Sequence, residues 1–501
     1  MDMRYLPIPV SQTAKPVKLR MLDRDDRLLR DLDVAFDADR PDTFFSYPLD
    51  RDVCRFTVDG KPYAPALLSA PFSAAAEAES LRPALHFTAP MGWLNDPNGC
   101  YYHDGLYHLF YQHNPAGSGW GNMHWGHAVS RDLLTWEHRP IALYPDEMGT
   151  MFSGSAVVDY ENVSGLGDGR RPPVLLFYTA AGDTSERSAG KRFTQCLAFS
   201  TDGGETFEKY AGNPVIPWIE AENRDPKVFP AGDGSFLCAL YLSGDEYALF
   251  SSPDLLHWTM TQRLSLPGDD ECPDLYPLPF EGGVKWVFSG ASGWYLTGGL
   301  RDGVFTPDTP QPRRLGCDAD DSYAAQTFFS AGGTRRRIAW NRWQHAARPE
   351  LPYCCSMTLP TALSLVSVGG TPYLRAEPVS LDGALSEREI APSVCGDRIS
   401  ASLPATPFEL RTEFSELCAF EAELFGVAFS CHGRLFRFAG SDIALPCPLG
   451  ELRVVADRFS IELSGCGGLL LIARSVPADA APGFSCRLTD GTRLTKLALR
   501  A

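Results

Sequence analysis

Helical periodicity is almost absent from this 501-residue chain, and no other feature constrains its fold as much. Short alternating apolar runs bounded by Gly, Pro, Asn and Asp take its place: GLYHLFYQH around Tyr107, PVLLFYTAAG around Leu176, SFLCALYLSG around Leu240 and VKWVFSGASG around Val287. Runs of this kind are strands, so the predicted fold class is all-β. One turn also repeats. SRDLLTW ends at Trp136, STDGGETF at Phe207 and SSPDLLHW at Trp258, each a Ser, an Asp two residues on and then an aromatic, with copies 71 and 51 residues apart. A turn recurring at intervals near the ~40–50 residues of a propeller blade predicts a radially repeated sheet. Three unrelated hairpin turns are the plainer alternative, because Ser, Asp and Gly form turns anywhere.

The pattern divides the chain into three expected units. Residues 1–80 alternate in their own way, with VKLRMLDRDDRLLRDLDVAF from Val17 to Phe36 and a DG turn in CRFTVDGKPY from Cys54 to Tyr63, which predicts a small β unit and a connector. Residues 81–366 hold the repeat. The turn-rich VSVGGTPY, Val366 to Tyr373, opens a third unit over 367–501, whose short strands suggest a β-sandwich.

Composition excludes some functions. With 45 Lys and Arg against 62 Asp and Glu, the net charge is −17, and a polyanion is repelled rather than steered in, so nucleic acid is not an expected partner. The first twenty residues hold no secretory apolar run and no stretch reaches membrane-spanning length, which predicts a cytoplasmic protein with no membrane partner, or an extracellular one if a leader has been removed. The 14 cysteines show no zinc-type C-x-x-C spacing and are read as reduced, mostly buried thiols.

Polar residues concentrate in loops of the middle unit. GWLNDPNG, Gly92 to Gly99, reads alone as a tight turn, but FYQHNP (Phe110 to Pro115), GWGNMHWGH (Gly119 to His127) and FSGS (Phe152 to Ser155) accompany it. Aromatic, amide and hydroxyl groups at strand ends suit either a sugar ring or propeller packing. NRDP sets Asp225 beside Arg224, which predicts an ionised carboxylate, and DDECPDLYP sets Glu271 among like charges, which predicts a carboxyl that keeps its proton. Two carboxyls tuned apart are what glycosidic cleavage requires.

In these motifs the chain resembles glycoside hydrolase family 32, the fructan hydrolases and invertases. WLNDPNG, FYQHNP, WGHAVSRDLLTW, FSGS, RDP (Arg224 to Pro226), EC (Glu271 to Cys272), SYAAQTF (Ser322 to Phe328), IAWNRWQ (Ile338 to Gln344) and MTLPTALSL (Met357 to Leu365) occur in the family's order over about 280 residues. The resemblance implies a five-bladed β-propeller followed by a β-sandwich. Position by position, it implies Asp96 as nucleophile, Glu271 as acid/base and Asp225 as transition-state stabiliser. Asn95, Gln112, Trp120, Phe152, Ser153, Arg224 and Trp343 are implied around the terminal fructose, with no metal or other cofactor.

Tyr353, Cys354 and Cys355 depart from the Arg, Gly or Trp common before MTLP, and Leu94 from a Met. The implied activity is a retaining β-fructofuranosidase acting on inulin- or levan-type fructans, fructo-oligosaccharides and sucrose. Alternatives are an invertase, a sucrose-6-phosphate hydrolase, a fructosyl transferase using the same residues, and a non-catalytic fructan-binding protein.

Overall fold

A computed structural model describes residues 3–49, 52–330, 333–343, 351–415, 419–477 and 483–501 of the chain. Helix among them is confined to Ala76–Ser80 and a 3-10 turn at Cys466–Gly468. In the middle unit five antiparallel four-stranded sheets follow one another, each pairing its strands in chain order, with extra short strands joining three of them. Their first strands, Gly92–His103, Thr150–Val158, Arg224–Pro230, Asp274–Phe280 and Ser322–Thr327, meet around one axis. Phe329 N donates to Cys100 O (2.8 Å) and Tyr102 N to Phe329 O (2.9 Å), which closes the ring between blades 5 and 1. This is the expected five-bladed propeller. Gln344, the last residue of IAWNRWQ, lies outside the described residues.

The three Ser-x-Asp copies occupy equivalent places, joining the third and fourth strands of blades 1, 2 and 3. In each, the Ser hydroxyl donates to the Asp carboxylate, Ser130 to Asp132 (3.1 Å), Ser200 to Asp202 (2.7 Å) and Ser252 to Asp254 (3.1 Å). The same carboxylates accept the backbone N–H three residues on, from Thr135, Glu205 and His257. The residue after each Asp, Leu133, Gly203 or Leu255, is left-handed. Blades 4 and 5 turn instead at Asp302–Gly303 and Gly369–Gly370, which is why the repeat stops there.

The expected boundary at 366 is too early. VSVGGTPY is the last hairpin of blade 5, whose strands Thr361–Val368 and Thr371–Pro378 turn on two left-handed glycines, and the blade ends at Pro378. Beyond it, a six-stranded and a seven-stranded sheet enclose one core that includes Phe408, Phe420, Phe436, Ile461 and Ile472, a β-sandwich. At the other end, two small sheets built from strands between Arg4 and Tyr63 pack around Leu6, Ile8, Leu19, Leu32, Phe45 and Tyr47.

A buried charge cluster joins propeller to sandwich. His86 Nδ1 lies 2.9 Å from Asp457 Oδ2 and Nε2 lies 3.0 Å from Glu462 Oε1, and both carboxylates belong to the sandwich. The Asp457 carboxylate also accepts the backbone N–H groups of Ala84, Leu85 and His86, and Glu462 that of Leu359. Only an imidazolium donates from both ring nitrogens. Burial opposes that charge, but the two hydrogen bonds and the charges of both carboxylates together outweigh burial and raise His86 to about 10.

Candidate active site

Each inner strand brings polar groups to the same end of the ring, and four of the five break register there. The bulges fall between Leu94 and Pro97, Phe152 and Gly154, Arg224 and Lys227, and Tyr323 and Gln326. A bulge re-aims a side chain without ending the strand. The remaining inner strand, Asp274–Phe280 of blade 4, is preceded by Glu271 and Cys272, both left-handed (φ 53° and 37°), and Asp225 and Ala324 are left-handed too (φ 65° and 52°). Non-glycine residues held this way cost roughly 1–3 kcal/mol each and gather where a side chain must point against the regular strand.

Asp96 is ringed by donors. Asn95 Nδ2 donates to Oδ1 (3.1 Å), Ser153 Oγ to Oδ2 (2.7 Å) and Cys272 Sγ to Oδ2 (3.6 Å). Trp93 Nε1 fixes the Asn95 amide through Oδ1 (2.8 Å). Asn98, with its amide assigned in the orientation that satisfies its neighbours, accepts from Gln112 N and Nε2 (3.1 and 2.9 Å) and donates to Ser153 Oγ (3.2 Å). Gln112 is therefore a buried support of the Ser153–Asp96 contact.

Cys272 joins the two aspartates. Its thiol reaches Asp225 Oδ2 at 3.5 Å as well as Asp96, and its backbone N–H donates to the same Asp225 oxygen at 3.1 Å. Asp225 N donates to Thr179 Oγ1 (2.9 Å), whose hydroxyl donates to Gln195, while Gln195 Nε2 donates to Asn223 O.

Glu271 is held from two sides. Arg224 directs Nη2 and Nε to Oε1 (2.5 and 3.2 Å), and Tyr323 donates its hydroxyl to Oε2 (2.6 Å). Arg224 comes only to 4.0 Å from Asp225, so its guanidinium is the partner of Glu271 rather than of its sequence neighbour, a correction that follows from the left-handed Asp225.

A second correction concerns the crowding of Glu271. Asp269 turns away to accept the N–H groups of Ser292 and Trp294, while Asp270 stays beside Glu271 and shares the Tyr323 hydroxyl with it (3.2 Å), and the like charges that act on Asp96 and Asp225 come from distant parts of the chain. Burial, more than the Glu271 charge, pushes Asp96 up against its hydrogen-bond donors. Burial also outweighs the pull of Arg224 on Asp225 and, with the charges of Glu271 and Asp96, raises it to about 7. Desolvation of Asp225 thus works against the ionised form that the neighbouring Arg224 favours.

The aromatic residues implied around the sugar separate. Phe152 and Trp120 pack edge to face (6.0 Å) at the rim, with Trp120 61% exposed. Trp343, 4% exposed, stacks on Phe459 of the sandwich (4.7 Å) in the propeller–sandwich junction. Sequence reasoning gave no role to Tyr323 or Thr179. Tyr323 lies in SYAAQTF, at the start of an inner strand. Thr179 carries no local signal.

The sequence profile of the glycosyl hydrolases family 32 N-terminal domain matches residues 86–378, the span of the five blades. The chain belongs to glycosyl hydrolase family 32. Among relatives, the levanase of Bacillus subtilis is 38% identical over 473 residues, covering 82% of this chain and 69% of the relative. The invertase of Schizosaccharomyces pombe is 36% identical over 321 residues, 58% of this chain and 54% of its own. The crystal structure of exo-inulinase from Aspergillus awamori superposes with a TM-score of 0.72 at 26% identity, over 84% of this chain and 97% of that one. A fructofuranosidase from Schwanniomyces occidentalis complexed with fructose gives 0.72 at 25% identity over the same shares.

Proposed function

We propose that this family 32 glycoside hydrolase is a retaining β-fructofuranosidase that removes terminal non-reducing fructosyl units from fructans and splits sucrose. The observation that carries this reading is the convergence of Asp96, Asp225 and Glu271, with one thiol touching the first two and Arg224 and Tyr323 holding the third. The names of the relatives, levanase, invertase and exo-inulinase, support the same substrate class. Asp96 attacks the anomeric C2 of the terminal fructose while Glu271 protonates the departing glycosidic oxygen, which gives a covalent fructosyl–enzyme. Glu271, now ionised, takes a proton from water as it attacks C2 and frees Asp96, so the configuration is retained. Asp225 accepts hydrogen bonds from ring hydroxyls and favours the flattened, cationic transition state.

Incubation of the purified protein with sucrose, 1-kestose, inulin and levan, with fructose release followed, tests the substrate class. Release from all four is expected. Cleavage of sucrose alone would overturn the fructan reading.

The carboxyls also set a pH dependence. Asp96 and Asp225 act as anions, and both hold protons above the usual carboxylate range. Activity therefore falls as pH drops through those raised values, and the acid limb of kcat/KM, which reports the free enzyme, is expected well above the ordinary aspartate value of 3.8. A limb at or below 3.8 would contradict the burial argument.

A further inference from the structure

We propose that Trp218 and Arg192, on the blade 2 rim, form a subsite for the sugar units of a departing fructan chain that sucrose lacks. The inference rests on the fructofuranosidase reading and adds to it the groups that favour longer substrates. Arg192 lays its guanidinium over the Trp218 indole (4.4 Å), and Trp218 Nε1 donates to Ala221 O (2.9 Å), so the ring is fixed although 38% exposed. Among the described residues no carboxylate pairs with Arg192, which leaves its exposed N–H groups for hydroxyl oxygens.

Two connections make this stack continuous with the catalytic carboxyls. Phe193, next to Arg192, packs edge to face on Phe152 (5.6 Å), the neighbour of Ser153, which holds Asp96. On the other side, Trp218 opens the short segment whose Glu222 carbonyl accepts from Arg224 Nη1 (2.7 Å), and Arg224 holds Glu271. An aromatic face takes the apolar C–H side of a sugar ring, and a preset guanidinium beside it binds hydroxyls with little ordering cost.

The N-terminal β unit braces this rim. Asp31, buried, accepts the backbone N–H groups of Glu186 and Arg187 (2.9 and 3.4 Å), Arg187 Nη1 donates to Leu29 O (2.6 Å), and Arg20 pairs with Glu186 (2.7 Å). Asp33 N and O exchange hydrogen bonds with the Asn122 amide (both 2.8 Å), on the loop that carries Trp120. The unit thereby fixes the segments leading to Phe193 and to Trp120, the aromatic sides of one rim.

The test compares kcat/KM on 1-kestose and inulin with that on sucrose for Trp218→Ala, Arg192→Ala and the conservative Trp218→Phe. In each alanine variant the fructan-to-sucrose ratio is expected to fall about tenfold, the loss of one ring or one hydrogen-bonded cation, and Trp218→Phe restores most of it. Equal losses on every substrate, or no change, would overturn the subsite. An unchanged ratio with selective loss on sucrose 6-phosphate would overturn it in favour of an anion site at Arg192. Wild-type protein that releases fructose from none of these sugars would instead overturn the fructofuranosidase reading.

Discussion

Asp96→Asn protein is expected to lose about four orders of magnitude in kcat on sucrose while keeping its fold, because the amide cannot form the fructosyl ester. Asn95, Ser153 and Cys272 all direct donors at the Asp96 carboxylate. Such a ring suits an acceptor-only anion, and an amide turns its own N–H groups towards part of it. The cost to folding is therefore small beside the cost to chemistry. Fructose release together with a thermal unfolding curve checks both halves. Activity above a tenth of wild type would remove Asp96 from the role of nucleophile.

His86→Ala is expected to destabilise the chain by about 3–5 kcal/mol, the range for breaking a buried ion pair by removing one partner. Asp457 and Glu462 would then face each other in the interior without a cation. The pH dependence follows from the same contacts. The folded-state value for His86 is raised from 6.5 to about 10, so its contribution is complete below 6.5 and is lost as pH climbs through about 10. Burial raises Asp457, but His86 outweighs this and lowers it below 3.8, so that contribution is present above 3.8 and is lost on acidification. The cluster stabilises most between 3.8 and 6.5. Denaturant titrations of wild type and variant at pH 6 and pH 9.5 measure this. A gap below about 0.5 kcal/mol at pH 6, or one that widens towards pH 9.5, would contradict it.

Much of this architecture was legible because its signals are local. Turn residues mark blades, and the Ser-x-Asp turn of blades 1 to 3 works through hydrogen bonds that span only a few residues. Asp96, Asp225 and Glu271 are legible for another reason, as parts of short motifs that follow the family's order, since WLNDPNG taken alone reads as a turn.

What stayed hidden depends on register and on contacts across the fold. The sequence sets Arg224 beside Asp225, yet a left-handed residue turns the guanidinium to Glu271. Tyr323 reaches Glu271 only because blade 5 closes the ring, and the partners of His86 lie some 370 residues away. Trp343 shows the opposite limit, a motif residue whose ring the fold commits to Phe459. Cys355 has a plainer explanation: its φ of 70° is the backbone that favours glycine, one of the residues the family often carries in that segment.

The most direct test of the carboxyl assignments is mass spectrometry of the acid-quenched Glu271→Gln variant mixed with β-D-fructofuranosyl fluoride, followed by peptide mapping. Fluoride departs without protonation, so the ester forms in the absence of the acid, and without the base its breakdown slows and it accumulates. The account predicts one anhydrofructosyl unit on the peptide that contains Asp96, attached at its carboxylate. An adduct on Asp225 instead, or the fructosyl fluoride turned over at the wild-type rate with no adduct on any carboxyl, would contradict it.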